Sequence, residues 1–202
     1  MKDNKDKKEK VSLKKKKKEF SLYNSAYELF KEKGINCTSI DEIVKRAGVA
    51  KGTFYLYFKD KYDVVNKLIL LKSTTLIKEA YEATKEKKFE ELDDMVLYFA
   101  EYIIDYFKEN KLLLKIVNKN FSYVIHTKTK LLDKSEEVEE IIDTFVNKLV
   151  ERGLSEEEGH ITLFMIIELV GSVCYSSIIL KEPADIEEIK PILFKKVKAM
   201  LK

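Results

Sequence analysis

The sequence predicts an all-α protein, a small N-terminal helical unit followed by a larger helical one. Only two prolines and six glycines interrupt 202 residues, which leaves few places to turn the chain. Lys, Glu, Leu and Ile are abundant, and Lys, Glu and Leu are good helix formers. Apolar residues recur at three- and four-residue steps in segment after segment, and no stretch alternates convincingly with the two-residue period of a strand. An apolar fraction of 45% is enough to build a core.

Residues 1–13 are polar and Lys-rich and are expected to form a disordered basic arm. The unbroken run Lys14–Lys18 leads into a first helix whose face carries Phe20, Tyr23, Ala26, Tyr27 and Phe30, and Gly34 is placed to end it. TSIDE (38–42) then offers two capping boxes, Thr38 with Asp41 or Ser39 with Glu42. Ile40, Ile43, Val44 and Ala47 form the stripe of a short helix that Gly48 stops, and Lys51 begins another that reaches about Tyr57. Helix, glycine-containing turn, helix is a helix-turn-helix signature. Asp60 caps a long helix over 61–87 that carries Val64, Leu68, Leu71 and Ile77.

Helical stripes continue through 89–109 (Leu92, Val96, Phe99, Ile103, Tyr106), 111–126 and 135–152 (Val138, Ile141, Ile142, Phe145, Leu149). Ser155 with Glu158 opens a helix to about Leu180 that is apolar nearly all round. A last helix, roughly 186–201, contains Pro191, which implies a kink or a later start.

Formal net charge is only +3, but its distribution is uneven. Residues 1–61 hold 17 Lys/Arg against 9 Asp/Glu, while the remainder is net acidic. A basic head on an acidic body points to a polyanion as partner. Cys37 and Cys174 are far apart and no Cys/His spacing suits a zinc site, so neither a disulfide framework, a metal nor a cofactor is expected. The charged N-terminus lacks the apolar core of a secretory signal, and a cytoplasmic location is expected. Residues 161–180 have the length of a membrane span, but Glu168 at mid-span would cost about 2.5–3.5 kcal/mol there, so no membrane is expected. No phosphate loop, nucleophile motif or paired-His signature suggests an enzyme.

The segment AGVAKGTFYLYFKDK (47–61) places Phe54, Tyr55, Tyr57 and Phe58 within five positions. Phe54 and Phe58 are four apart, share a face and belong in the core. A three-helix unit has too little interior for four rings, so Tyr55 and Tyr57 are expected at its surface, with Lys51, Thr53 and Leu56. A tyrosine can pack its ring and still hydrogen-bond a phosphate through its hydroxyl. Backbone N–H groups at the helix start attract anions, Gly52 permits close approach, and Lys51 and Lys61 are candidate phosphate clamps.

The run from Leu22 to Val64 resembles the DNA-binding domain of the tetracycline-repressor (TetR) family. The matching residues are Ala26, Leu29-Phe30, Lys33-Gly34, Thr38-Ser39-Ile40, Glu42-Ile43, Ala47-Gly48-Val49, Lys51-Gly52-Thr53-Phe54-Tyr55, Tyr57-Phe58 and Lys61. The resemblance covers about a fifth of the chain. It implies that Thr38 or Ser39 and Lys51 contact the DNA backbone. It also implies that Thr53, Leu56 and Tyr57 face the major groove, and that Tyr55 and Lys61 hold phosphates. Two positions depart from the family pattern: Tyr57 stands where His is frequent, and Ala50 where Ser is frequent. Leu56 cannot hydrogen-bond a base, though it can touch a thymine methyl.

These readings give a helix-turn-helix DNA-binding domain over 14–61 and an effector-binding and dimerisation domain over 62–202. The expected partners are double-stranded operator DNA, a second copy of the chain bound through the last two helices, and an unknown small-molecule effector. Tyr102, Tyr123, His126, Glu168 and Tyr175 are the candidate polar lining of an effector pocket. The alternative from another class is a helical adaptor whose basic N-terminus docks on anionic membrane.

Overall fold

A chain whose apolar stripes all have helical period can bury them only by packing helix on helix. The computed structural model, which describes residues 2–117 and 136–202, does so. Its helices, in chain order, are α1 (Lys2–Lys33), α2 (Ile40–Ala47), α3 (Lys51–Tyr55), α4 (Lys61–Lys87), α5 (Leu92–Glu109), α6 (Lys111–Val117), α7 (Glu136–Glu151), α8 (Glu156–Cys174) and α9 (Ile186–Met200). A π-helical turn, Tyr175–Leu180, continues α8. The chain divides into two units, one ending at Leu68 and one starting at Ile69. The division therefore falls inside α4 rather than at its start, because Val64, Val65 and Leu68 are core residues of the first unit.

In the first unit α1 buries Leu22, Ser25, Ala26, Leu29 and Phe30, and Phe20 is left 59% exposed. Of the face expected from the sequence, Ala26 and Phe30 are buried, Tyr23 and Tyr27 lie half-buried at the edge of the stripe, and Phe20 falls outside it. The helix also runs back through the residues expected to be a disordered arm. Lysine and glutamate have good helix propensity, so these polar residues can extend a helix already nucleated by the buried turns of 22–30.

Local chemistry sets the helix ends. Ser39, not Thr38, caps α2: its hydroxyl accepts from the Glu42 backbone N–H at 3.3 Å, and the Glu42 carboxylate accepts from the Ser39 N–H at 2.9 Å. Gly48 ends α2 at φ +67°, the left-handed region where a side chain is strained. Asp60 accepts from the Tyr62 and Asp63 N–H groups, both at 2.8 Å, and so opens α4.

In the second unit α5, α7, α8 and α9 bury their stripes together, with Ile104, Phe107, Leu149, Cys174 and Val197 among the least exposed residues. Burial pushes the Cys174 thiol up to about 12, so it stays protonated. Ser155 and Glu158 form a second capping box at the start of α8. One turn on, Gly159 lets that helix approach α7 closely: a Cβ there would sit 3.2 Å from Val146 Cγ1. Pro191 lies inside α9, which starts at Ile186 and not later, with Asp185 as its cap. Ion pairs from α9 to α5, Lys190–Glu101 at 3.0 Å and Lys198–Asp94 at 3.1 Å, fix register more than they add stability.

Glu42 tests the cap network. Its hydrogen bonds to Lys33 and to Ser39 lower its pKa from 4.5 to about 2. A lowered folded-state pKa contributes stability that is fully present above pH 4.5 and is lost as pH falls toward about 2. Urea denaturation across that window should show E42Q losing stability less steeply with acid than the parent. At neutral pH, Ser39→Ala should cost about 1 kcal/mol.

Candidate nucleic-acid interface

The short helix α3 is held by two rings and leaves the others outside. Phe54 is 0% and Phe58 2% exposed, against 54% for Tyr55 and 80% for Leu56. Phe58 meets the Tyr23 ring edge-on at 4.9 Å and lies 5.3 Å from Phe54. Lys67 of α4 donates to the Tyr57 carbonyl at 2.9 Å, and its ammonium sits 4.9 Å from the centre of the Phe58 ring. Tyr57 and Thr53 are half-buried, while Lys51 and Gly52 are exposed. One side of α3 is therefore core, and the other is a projecting ridge of Tyr55, Leu56 and the outer part of Tyr57. Ala50 opens α3 with no side-chain cap.

The cations expected to grip phosphates have different surroundings. Lys51 pairs with Asp41, 2.8 Å away, and both are well exposed; this contact raises the lysine pKa. Such a surface pair is weak and can be exchanged for a phosphate. Lys61 is otherwise engaged. Its ammonium donates to the carbonyls of Ile35 at 2.9 Å, Asn36 at 3.1 Å and Thr38 at 3.0 Å. An ammonium has three donors, and all three are used inside the protein. Lys61 thus ties the start of α4 to the α1–α2 turn and offers no free donor to a phosphate.

Thr38 likewise faces inward. It is 2% exposed and its hydroxyl donates to the Gly34 carbonyl at 2.8 Å, so its side chain stabilises the turn and cannot reach DNA. Ser39 is exposed, but its hydroxyl is held by Glu42 at 2.8 Å. Sequence reasoning passed over Lys59, which is exposed, three residues beyond Leu56, and makes no ion pair among the described residues. The lysine following the ring-rich segment was the available signal.

In the second unit a cavity of about 80 Å³ is walled, among the described residues, by apolar side chains. Ile77 comes from α4, Val96, Phe99 and Ile103 from α5, Ile141 and Phe145 from α7, and Ile166 and Val170 from α8. Of the polar residues proposed for such a pocket, the described ones, Tyr102, Glu168 and Tyr175, do not lie on this wall. Tyr102 is half-buried elsewhere on α5, its pKa raised by desolvation and then by Glu79. Tyr175 is in the π turn. Glu168 is exposed and edges a separate recess with Phe107, Leu114 and Ser172. Tyr123 and His126 lie outside the described residues. Among the described residues no group of His, Cys, Asp and Glu is arranged to hold a metal.

Residues 22–68 match the family of bacterial regulatory proteins called the tetR family. The Transposon Tn10 TetC protein of Escherichia coli is 38% identical over 99 residues, 48% of each chain. The fatty acid metabolism regulator protein of Bacillus subtilis is 39% identical over 66 residues, 33% of this chain and 34% of that one. The chain thus spans about half the length of the first relative and about a third of the second. Among solved structures, the transcriptional regulator FadR from Bacillus subtilis, in complex with stearoyl-CoA, matches with a TM-score of 0.58 at 18% identity. That match covers 88% of this chain and 96% of that chain, and at this identity it establishes the fold alone. The second relative and the solved neighbour are both named as regulators.

The inward-facing lysine gives a direct check. Lys61→Met would keep the aliphatic stem and leave the three carbonyls without their shared donor. Urea denaturation should show a loss of about 1–3 kcal/mol. A variant as stable as the parent would mean that Lys61 has no structural task.

Proposed function

We propose that this chain, which belongs to the tetR family, is a cytoplasmic, homodimeric, ligand-responsive transcriptional regulator that represses from a palindromic operator. The observation that carries this reading is the two-sided α3, with Phe54 and Phe58 sealed in the core and Tyr55 and Leu56 projecting into solvent. A ridge of that width suits the major groove. There Leu56 touches a thymine methyl, Tyr57 and Thr53 reach base edges, and the Tyr55 hydroxyl and Lys51 hold phosphates. Sparse hydrogen-bonding capacity on the ridge leaves DNA shape a large share of the selectivity.

A second copy is supported by what α8 leaves uncovered. Ile161 and Met165 are 49% and 44% exposed, and Glu168 and Ser172 continue the same face. On α9, Ile192 is 62% exposed. The helix Glu156–Leu180 is long and apolar enough to cross a membrane by length and composition. Glu156, Glu157 and Glu158 in its first turn and exposed Glu168 fit a protein partner better than lipid. Two such faces together would form a four-helix interface, and a two-fold dimer presents two α3 ridges to two half-sites.

The effector is an apolar molecule or one with an apolar tail, because the described wall of the cavity is apolar. An aliphatic chain suits this lining, and the Bacillus subtilis neighbour was solved with stearoyl-CoA. At about 80 Å³ the cavity must widen to accept more than a few carbons. Ile77 on its wall and Val64 and Leu68 in the first unit's core all belong to α4. Widening the cavity displaces that helix and changes the spacing of the paired ridges. Both half-sites must fit at once, so a small displacement lowers affinity.

Selection of bound duplexes from a random pool should return an inverted repeat. On that duplex, Leu56→Ala and Tyr57→Ala should shift base preference by about 1–3 kcal/mol at one position each, while Tyr55→Phe weakens all sequences alike. Equal, sequence-blind losses at all three would overturn the groove assignment. Ile161→Asp with Met165→Asp should give monomers by sedimentation and abolish binding to the repeat. A monomeric parent that still binds it would refute the dimer.

A further inference from the structure

We propose that the N-terminal overhang of α1, through Lys14–Lys18, is a second DNA-binding surface that lies on the phosphates flanking the half-site. This rests on the operator-binding reading above and adds a surface to it. The first unit uses most of the cations around α2 and α3 on its own atoms. Lys33 pairs with Glu42, Arg46 with Glu32, Lys51 with Asp41 and Lys67 with Asp63. Lys61 is held by carbonyls. Lys14, Lys15, Lys16, Lys17 and Lys18 are all exposed and make no ion pair among the described residues.

Their location follows from two contacts. Ser21 donates to the Ala47 carbonyl at 3.3 Å, at the end of α2, and Tyr23 packs on Phe58, just beyond α3. The buried face of α1 begins at Leu22. With a rise of about 1.5 Å per residue, Lys18 stands about 6 Å and Lys14 about 12 Å beyond Leu22 along the axis. The overhang therefore leaves the unit at the edge of the helix-turn-helix.

The chemistry favours a phosphate wall over lipid. Five successive lysines turn through more than a full circle at about 100° per residue, so charge covers every side of the helix. An interfacial membrane helix needs an apolar face opposite its charges. Leu13 and Phe20 are exposed, but Lys16 and Lys17 lie between them on the same face. Like charges one turn apart also repel, and a polyanion relieves that repulsion. Given the lysines' distribution around the helix, two or three can meet one line of phosphates.

The test compares the full-length parent with K14Q/K15Q/K16Q/K17Q/K18Q and with the corresponding five-arginine variant. Glutamine keeps helix propensity, and circular dichroism checks that both variants fold. Affinity is measured from 50 to 200 mM salt on the duplex selected from the random pool, on a random 40-base-pair duplex, and on phosphatidylglycerol vesicles. Losing two or three phosphate contacts should flatten the salt slope by about two to three. The parent's advantage over the glutamine variant should then shrink about 10- to 40-fold across that range. The loss should be equal on both duplexes, so that their ratio is unchanged, and the arginine variant should match the parent.

Identical slopes for parent and glutamine variant would overturn the proposal while leaving operator binding intact. Vesicle binding lost in the glutamine variant, with unchanged slopes on DNA, would also overturn it and assign the overhang to membrane. A parent that binds no duplex would remove the operator-binding reading itself.

Discussion

Five residues of helix cannot hold their shape in water, because nucleating a turn costs more than so few hydrogen bonds return. α3 is such a helix, so its existence depends on the burial of Phe54 and Phe58. Removing either ring would take out a large buried side chain, a change that costs about 3–5 kcal/mol in a packed core. The same two rings fix the rotation of α3 about its axis, because Phe58, just beyond its end, packs 5.3 Å from Phe54 and donates its N–H to the Phe54 carbonyl at 3.0 Å. Tyr55 and Leu56 project because Phe54 and Phe58 cannot. The surface proposed for recognition is therefore the other side of the packing, and its geometry is only as firm as the contact of Phe58 with Tyr23 and Lys67.

The charges of the first unit divide along similar lines. Glu32, Asp41, Glu42 and Asp63 lie where the cations nearest α2 and α3 can pair with them. Exposed pairs of this kind add little stability. They do keep the lysines from repelling one another, and a polyanion can displace a carboxylate from Lys51 at small cost. Lys61 differs in kind, since it is enclosed by carbonyl oxygens that no ligand replaces without opening the turn.

Signals within a few residues of each other were legible in the sequence. Ser39 with Glu42, Ser155 with Glu158, Asp60, and the glycines that end helices at 34, 48 and 153 all work within one turn of chain. The division of the four rings was legible too, because it needs only helical period and a limit on core volume. Signals that depend on distant chain were not. Lys61 turns inward because residues 35–38 bring three carbonyls to it, and nothing near Lys61 in the sequence announces them. Thr38 carries the residue type of a phosphate contact and lies under a turn. Phe20 was misplaced by one step of helical rotation, which Leu22 and Leu29 settle once packing is known. The cavity wall was invisible for another reason: Val96, Ile141 and Ile166 look the same in sequence whether they touch a neighbour or an empty space.

That last ambiguity has a physical consequence for regulation. The described wall of the cavity is carbon and offers no hydrogen bond, so affinity along it comes from buried area, at about 25 cal/mol per Å². Area-driven binding tolerates variation in chain length and shape and discriminates poorly between homologues one methylene apart. Selectivity for one effector then has to come from polar groups beyond the apolar wall. The recess edged by Glu168 and Ser172 shares Ile167 with the cavity and is lined by polar as well as apolar groups. A molecule with an aliphatic tail and a polar head would use both surfaces, the tail for affinity and the head for identity. Glu168 would then disfavour an anionic head on that side unless a cation came with it, so the recess selects by charge where the cavity cannot.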